Sequence, residues 1–124
     1  MIRRPPRSTL DRSSAASDVY KRQVKGKHAI LVDDIVDSGG TLCNAAKAIM
    51  DAGALSVRAY ITHGVLSNGA NKKIDASVLD ELVISDSIPM QHTSKKIRQV
   101  TVAELFGEAM RRITNEESVS SLFK

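Results

Sequence analysis

The segment of the sequence best equipped for chemistry is residues 30–41, ILVDDIVDSGGT, in which three aspartates precede a pair of glycines. It continues a short apolar run, and open parallel sheets bind ligands beyond the carboxyl ends of such strands. Glycines let the backbone approach a ligand closely, and the N–H groups at the start of a helix favour an anion. The loop therefore predicts a phosphate monoester site. It is not the P-loop of nucleotide hydrolases, because the spacing differs and no lysine precedes Thr41.

The aspartates predict the chemistry at the other end of the ligand. Carboxylates beside a phosphate would repel it, so Asp33 and Asp34 are expected to accept hydrogen bonds from sugar hydroxyls or to hold Mg²⁺ through water. A ligand with one anionic end and one polyhydroxylic end is a pentose 5-phosphate. The alternative is an ordinary strand-to-helix turn that happens to be acidic and rich in glycine.

Apolar periodicity predicts the elements that position this segment. Residues 28–32 are a continuous apolar run, which predicts a buried parallel strand that ends at Asp33 and Asp34. From Thr41 the apolar positions recur at helical spacing. Alternating strands and helices predict a doubly wound α/β fold with a parallel sheet and helices on both faces. The expected elements are strands at 28–32, 56–62, 81–85 and 98–101, helices at 41–52 and 102–113, and a short helix or turn at 71–77.

Charge separates a leader from the expected domain. The chain has 124 residues and a net charge of +4, and all of this excess lies in residues 1–23, which contain Pro5 and Pro6 and are expected to be disordered. This leader is interpreted as a transit peptide, as a basic arm for nucleic acid, or as translated sequence foreign to the gene; we favour the last. Residues 24–124 form the expected domain.

Composition argues against several classes of protein. Aromatic residues make up 3% of the chain, which argues against nucleic-acid binding by base stacking. No apolar stretch reaches the length of a membrane span, and the single cysteine, Cys43, can form neither an internal disulfide nor a zinc pair. We expect a cytoplasmic protein with no nucleic-acid or membrane partner.

Two pairs of basic residues also have expected surroundings. Lys72–Lys73 are expected on a solvated face, and Arg111–Arg112 are expected beside Glu108 or Glu116.

Several motifs carry a resemblance to a known family. VDDIVDSGGT resembles the phosphoribosyl-diphosphate-binding motif of the class I phosphoribosyltransferase fold, and residues 24–123 are similar to the C-terminal third of ribose-phosphate pyrophosphokinase. The motifs THGVLSNGA, VISDSIP and RRITNEESVSSLF carry this narrower match. The resemblance implies a homo-oligomeric enzyme that transfers diphosphate from MgATP to ribose 5-phosphate, which gives phosphoribosyl diphosphate and AMP. The implied cofactor is Mg²⁺.

The resemblance also implies roles for particular residues. Asp33 and Asp34 would hold the ribose hydroxyls and a shell linked to Mg²⁺. The tail residues Ser118, Ser120 and Phe123 match an allosteric site at a subunit interface, although simple docking of the tail explains them equally well. The cradle for the 5-phosphate would consist of Asp37, Ser38, Gly39, Gly40 and Thr41.

The same resemblance implies that catalytic parts are missing from this chain. In the family, the ATP-binding residues, a histidine that ligates Mg²⁺ and a catalytic Lys-Arg loop precede the position that matches Val24, and nothing in residues 1–23 resembles them. We therefore expect a domain truncated at its N-terminal side, without catalytic residues, that retains the ribose 5-phosphate loop. Its unpaired sheet edge predicts marginal stability, self-association or dependence on partner subunits. The alternatives are a non-catalytic ribose-phosphate-binding regulator and a phosphoacceptor signalling domain.

Overall fold

The computed structural model describes residues 23–124, so the leader predicted at 1–23 lies almost entirely outside the described residues. All pairings in its four-stranded sheet are parallel, and the strand order is β1-β2-β3-β4. This arrangement confirms the α/β class. The strands are β1 (His28–Val36), β2 (Ser56–Gly64), β3 (Glu81–Ser85) and β4 (Ile97–Val100); the helices are α1 (Gly40–Asp51), α2 (Ala70–Asp75) and α3 (Ala103–Thr114), followed by a 3₁₀ helix, Ser120–Phe123.

The first strand is longer than the sequence predicted. It runs to Val36, so Asp33 and Asp34 lie inside β1 and not beyond its end. The physical reason is pairing with β2, which continues along the strand until Val36 lies opposite Gly64. The bounds of the other predicted elements differ from the observed ones by at most two residues.

The core lies on one face of the sheet, beneath α1 and α2. Alternate residues of β2 are buried there, as the two-residue period of a strand requires. The buried residues of α1 recur at three- and four-residue spacing, which places them on one side of the helix. One cluster joins the two helices to the sheet: Leu42, Ala46 and Ile49 of α1, Ala70 and Ile74 of α2, and Val57, Ala59 and Ile61 of β2.

The opposite face of the sheet is exposed within the described part of the chain. The side chains of Ile30 and Val32 on β1 are 59% and 79% exposed. Helix α3 carries the predicted apolar stripe, including Phe106 and Met110, but none of its residues is buried. In residues 23–124, helices therefore cover one face of the sheet, where the sequence predicted cover on both.

Two arginines attach the C-terminal segment to α3. Arg111 bonds to Glu108 at 2.8 Å and to Glu117 at 3.0 Å, while Arg112 bonds to Glu108 at 2.8 Å and donates to Ser118 O at 3.1 Å. The predicted partner Glu108 is confirmed, whereas the second acid is Glu117 and not Glu116. Glu116 has a φ of 56°, and this left-handed turn after α3 brings the following glutamate to Arg111.

The pKa of Glu108 is expected to reveal this cluster in solution. Hydrogen bonds from Arg111 and then Arg112 lower the pKa of its carboxyl from 4.5 to about 2. A lowered pKa means that the cluster stabilises the fold fully above pH 4.5 and loses this contribution as the pH falls toward 2. A carboxyl-carbon NMR titration should therefore place the midpoint near the lower value, and Arg111→Met should raise it. Arg98→Met, which removes an arginine from β4, is the control. A midpoint that R111M leaves unchanged contradicts the assignment.

A close approach between β2 and β3 gives a test of the packing. A Cβ on Gly64 would lie 2.6 Å from Cδ1 of Ile84, which is itself buried. Gly64→Ala should therefore destabilise the protein by about 1–3 kcal/mol, as overpacking of a core does. The matched control is Gly107→Ala in α3, where nothing lies within 4 Å and higher helix propensity should stabilise by up to about 1 kcal/mol. Urea unfolding measures both variants, and equal stability of G64A and wild type would refute this packing.

Candidate functional site

The phosphate loop predicted from sequence joins β1 to α1 at the carboxyl edge of the sheet. Gly39 is the N-cap of α1 and has a φ of 81°, a left-handed conformation that glycine adopts without steric cost. The helix then begins at Gly40, and Cys43 N–H donates to Gly39 O at 2.9 Å. No side chain caps this helix and its first turn contains no acid. The N–H groups of the first turn are therefore available to an anionic ligand.

Asp37 is fixed by the loop that follows β2. The hydroxyl of Ser67 donates to Asp37 Oδ1, and the backbone N–H of Ser67 donates to Asp37 O at 3.1 Å. These contacts indicate that the Asp37 carboxylate holds the phosphate loop in shape. Ser67 lies within the motif THGVLSNGA but had no predicted role. The signal for one is its position after β2, whose carboxyl end meets that of β1 in a parallel sheet.

Asp33 and Asp34 are exposed on consecutive positions of β1. The backbone N–H of Asp34 donates to Asp33 Oδ1 at 2.8 Å. Because successive side chains of a strand point to opposite faces, the two carboxylates do not share one surface. Asp33 lines a cavity together with Asp37, Ser38, Gly39 and Thr41, and neither Asp34 nor Gly40 lines it.

This cavity has a volume of about 360 Å³ and polar groups along one part of its wall. The structure therefore brings Asp33 together with most of the predicted phosphate cradle. Among the described residues, no lysine or arginine lines the cavity. The rest of its wall is apolar, which the sequence analysis did not anticipate, and consists of Leu31, Val32, Ile35, Val36, Leu42, Ala45 and Ile61.

The predicted tail residues lie apart from the cavity. Ser118 Oγ and Ser120 Oγ are 3.1 Å apart in the segment attached to α3, and the side chain of Phe123 is 70% exposed. None of the three lines the cavity with Asp33. Their role in an allosteric site stays a prediction.

His63 at the end of β2 belongs to a separate polar pair. Its Nδ1 lies 2.7 Å from Oγ of Ser87, which follows β3. Ser85 Oγ donates to Thr62 O at 2.7 Å in the same region. His63 does not line the cavity, so this hydrogen bond gives it a structural role.

The donor set suits Mg²⁺ shared with a ligand better than an all-protein metal site. Within residues 23–124, no three His, Cys, Asp or Glu side chains cluster in a way that could hold a metal ion. Mg²⁺ commonly binds through one or two carboxylates together with water and substrate oxygens. Asp33 offers one such carboxylate at the cavity, while Asp34 lies on the other face of β1. No helix in the described part of the chain has the length and apolar character needed to span a membrane.

Comparisons with known proteins identify the family of this chain and support its fold. Residues 18–124 match the family model of the phosphoribosyl synthetase-associated domain. The chain is 57% identical over 104 residues to ribose-phosphate pyrophosphokinase of Rhizobium meliloti (strain 1021), which covers 82% of this chain and 34% of that protein. It is 60% identical over 103 residues to ribose-phosphate pyrophosphokinase of Caulobacter vibrioides (strain NA1000 / CB15N), at 81% and 33% coverage.

A solved structure shows the same fold. The crystal structure of phosphoribosylpyrophosphate synthetase from Mycobacterium smegmatis superposes with a TM-score of 0.72 at 29% identity, over 75% of this chain and 32% of that chain. The chain thus spans about a third of the length of the relatives that it matches. Both the resemblance drawn from the motifs and the parallel α/β fold are confirmed. The chain belongs to the ribose-phosphate pyrophosphokinase family and carries its phosphoribosyl synthetase-associated domain.

Proposed function

We propose that this chain forms the ribose 5-phosphate site of a ribose-phosphate pyrophosphokinase. The whole reaction transfers diphosphate from MgATP to the 1-hydroxyl of ribose 5-phosphate, and it releases phosphoribosyl diphosphate and AMP. The observation that carries the proposal is one cavity whose wall includes both Asp33 and the loop around Gly39. A carboxylate and a helix N-terminus in one cavity suit a ligand that has both hydroxyls and a phosphate.

The phosphate binds at the start of α1. With Gly39 left-handed and no capping side chain, the N–H groups of Gly40, Thr41 and the next residue donate to phosphate oxygens. The dipole of α1 adds favourable charge at the same place. Ser38 and Thr41 line the cavity and supply hydroxyl donors. The carboxylate of Asp37 is already bonded to Ser67, so its charge is partly satisfied by the protein.

The sugar binds toward β1. Asp33, which lines the cavity, accepts hydrogen bonds from ribose hydroxyls. Asp34 lies next to it on the opposite face of the strand and would reach Mg²⁺ only through water. When bound, Mg²⁺ neutralises charge on the transferred diphosphate. Asp33 therefore orients the end of the sugar at which the diphosphate is accepted.

The remaining parts of the reaction are proposed for proteins of the relatives' full length. Phosphoryl transfer requires cations beside the transferred group, and no lysine or arginine of the described residues lines the cavity. ATP binding and homo-oligomeric assembly are likewise proposed for the full-length enzymes. This 124-residue chain is proposed to bind ribose 5-phosphate without turning it over.

The loop geometry gives a direct test of ribose 5-phosphate binding. Gly39→Ala forces a left-handed alanine, which costs about 1–2 kcal/mol, but its Cβ would lie an ordinary 3.5 Å from Ile74. Gly26→Ala is the matched control, since Gly26 also has a positive φ, of 72°, and lies before β1. Both variants should lose similar stability, whereas G39A alone should lower affinity for ribose 5-phosphate about tenfold or more. Calorimetry measures the binding, and a G39A variant with wild-type affinity contradicts the proposed cradle.

The chain is not expected to catalyse the full reaction. The chain supplied with ATP, Mg²⁺ and ribose 5-phosphate should release no AMP above a reaction without protein, because no described cation lines the cavity to neutralise the transferred phosphoryl groups. A coupled assay for AMP measures this, with a full-length ribose-phosphate pyrophosphokinase as the positive control. AMP formed by the chain alone would show that it holds a complete active site.

A further inference from the structure

A lysine on α2 lies beside the phosphate loop. Measured from the position that a Cβ on Gly40 would occupy, Lys73 Nζ is 3.9 Å away and Ser38 Oγ is 4.0 Å away. Lys73 follows Lys72 in sequence and was expected on a solvated face. Lys73 is exposed, as expected, and its ammonium group also lies next to the first residue of α1.

Packing between α2 and the loop fixes this placement. Ala70 and Ile74 are fully buried, and both approach Gly39: a Cβ there would lie 3.5 Å from Ile74 Cδ1 and 3.7 Å from the Cβ of Ala70. These residues lie one turn apart on α2. Lys73 therefore extends from a helix that is anchored directly against the phosphate loop.

Two helix ends act on the charge of Lys73, because the last turn of α2 favours a cation and the start of α1 disfavours one. The start of α1 carries the positive end of a helix dipole, which disfavours a nearby cation. None of the ion pairs formed among residues 23–124 includes Lys73, and α1 has no acid in its first turn. A phosphate at the loop would be attracted both by the helix N–H groups and by this ammonium.

We propose that Lys73 is a phosphate-binding residue that sets the preference of this site for a phosphorylated sugar. This inference rests on the proposed function and extends it by one residue from a different element. Lys73 neutralises part of the phosphate charge from the α2 side, while the N–H groups of α1 bind the phosphate oxygens. An exposed ammonium on a flexible stem suits this task, because it can follow the phosphate as it enters.

The adjacent lysine provides the matched control. Lys72 and Lys73 both lie in the last turn of α2, so both interact favourably with the negative end of that helix's dipole. No atom of Lys72 lies within 4 Å of the Cβ position at Gly40. Lys72→Met and Lys73→Met therefore remove the same charge from the same helix end, and only the second removes charge from the phosphate loop.

The experiment measures binding of ribose 5-phosphate and of unphosphorylated ribose to the full chain by calorimetry. Lys73→Met should raise the Kd for ribose 5-phosphate about tenfold, and Lys72→Met should leave it within about twofold of wild type. Neither variant should change the binding of ribose. The difference between the two variants should shrink at high ionic strength, because the lysine is exposed to solvent.

Two further variants separate charge from structure. Lys73→Arg retains the charge and should retain most of the affinity, while Lys73→Gln should reproduce the loss if Lys73→Met folds poorly by circular dichroism. Wild-type chain that does not bind ribose 5-phosphate overturns the proposed function, and this inference with it. Wild-type chain that binds ribose 5-phosphate, with K73M and K72M of equal affinity, overturns the role of Lys73 and leaves the proposed function standing.

Discussion

The phosphate loop depends on three backbone hydrogen bonds from the loop that follows β2. Val65 N–H and Leu66 N–H both donate to Val36 O, at 2.9 and 3.3 Å, and Ser67 N–H donates to Asp37 O at 3.1 Å. Leu66 adopts a left-handed φ of 56° to make its bond, a conformation that costs a non-glycine residue about 1 kcal/mol or more. The bonds offset this strain. They join the carboxyl ends of two parallel strands, so the loop after β1 keeps its shape before any ligand arrives.

The parts of the site that depend on local chemistry were predictable from the sequence. A glycine pair at the start of a helix specifies the left-handed N-cap at Gly39, since few other residues adopt that conformation. The bond between Asp37 and Ser67 joins residues 30 positions apart, and no local pattern encodes it. The local sequence pattern therefore predicts the residues of the proposed cradle, while the structure shows which contacts hold them in position.

The length of β1 explains the unexpected character of the cavity. A strand that ended at Asp33 would leave the acidic pair in a solvated loop, as the residue pattern predicted. Pairing with β2 extends the strand to Val36, and the alternation of side chains then surrounds Asp33 with Leu31 and Ile35 on the cavity wall. Strand propensity did not mark this extension, because aspartates are depleted in strands and the continued pairing with β2 determines where β1 ends.

The electrostatics of the site follow from packing more than from net charge. The excess of +4 lies in residues 1–23, and the remainder of the chain is balanced, so net charge says little about the ligand. The charge that a phosphate would meet depends on which cation lies near the start of α1. Burial of Ala70 and Ile74 orients α2 and brings Lys73, and not Lys72, to the loop. Lys72 and Lys73 are adjacent in sequence but extend from different sides of α2. The tertiary contacts of this six-residue helix determine which of the two lies beside the loop.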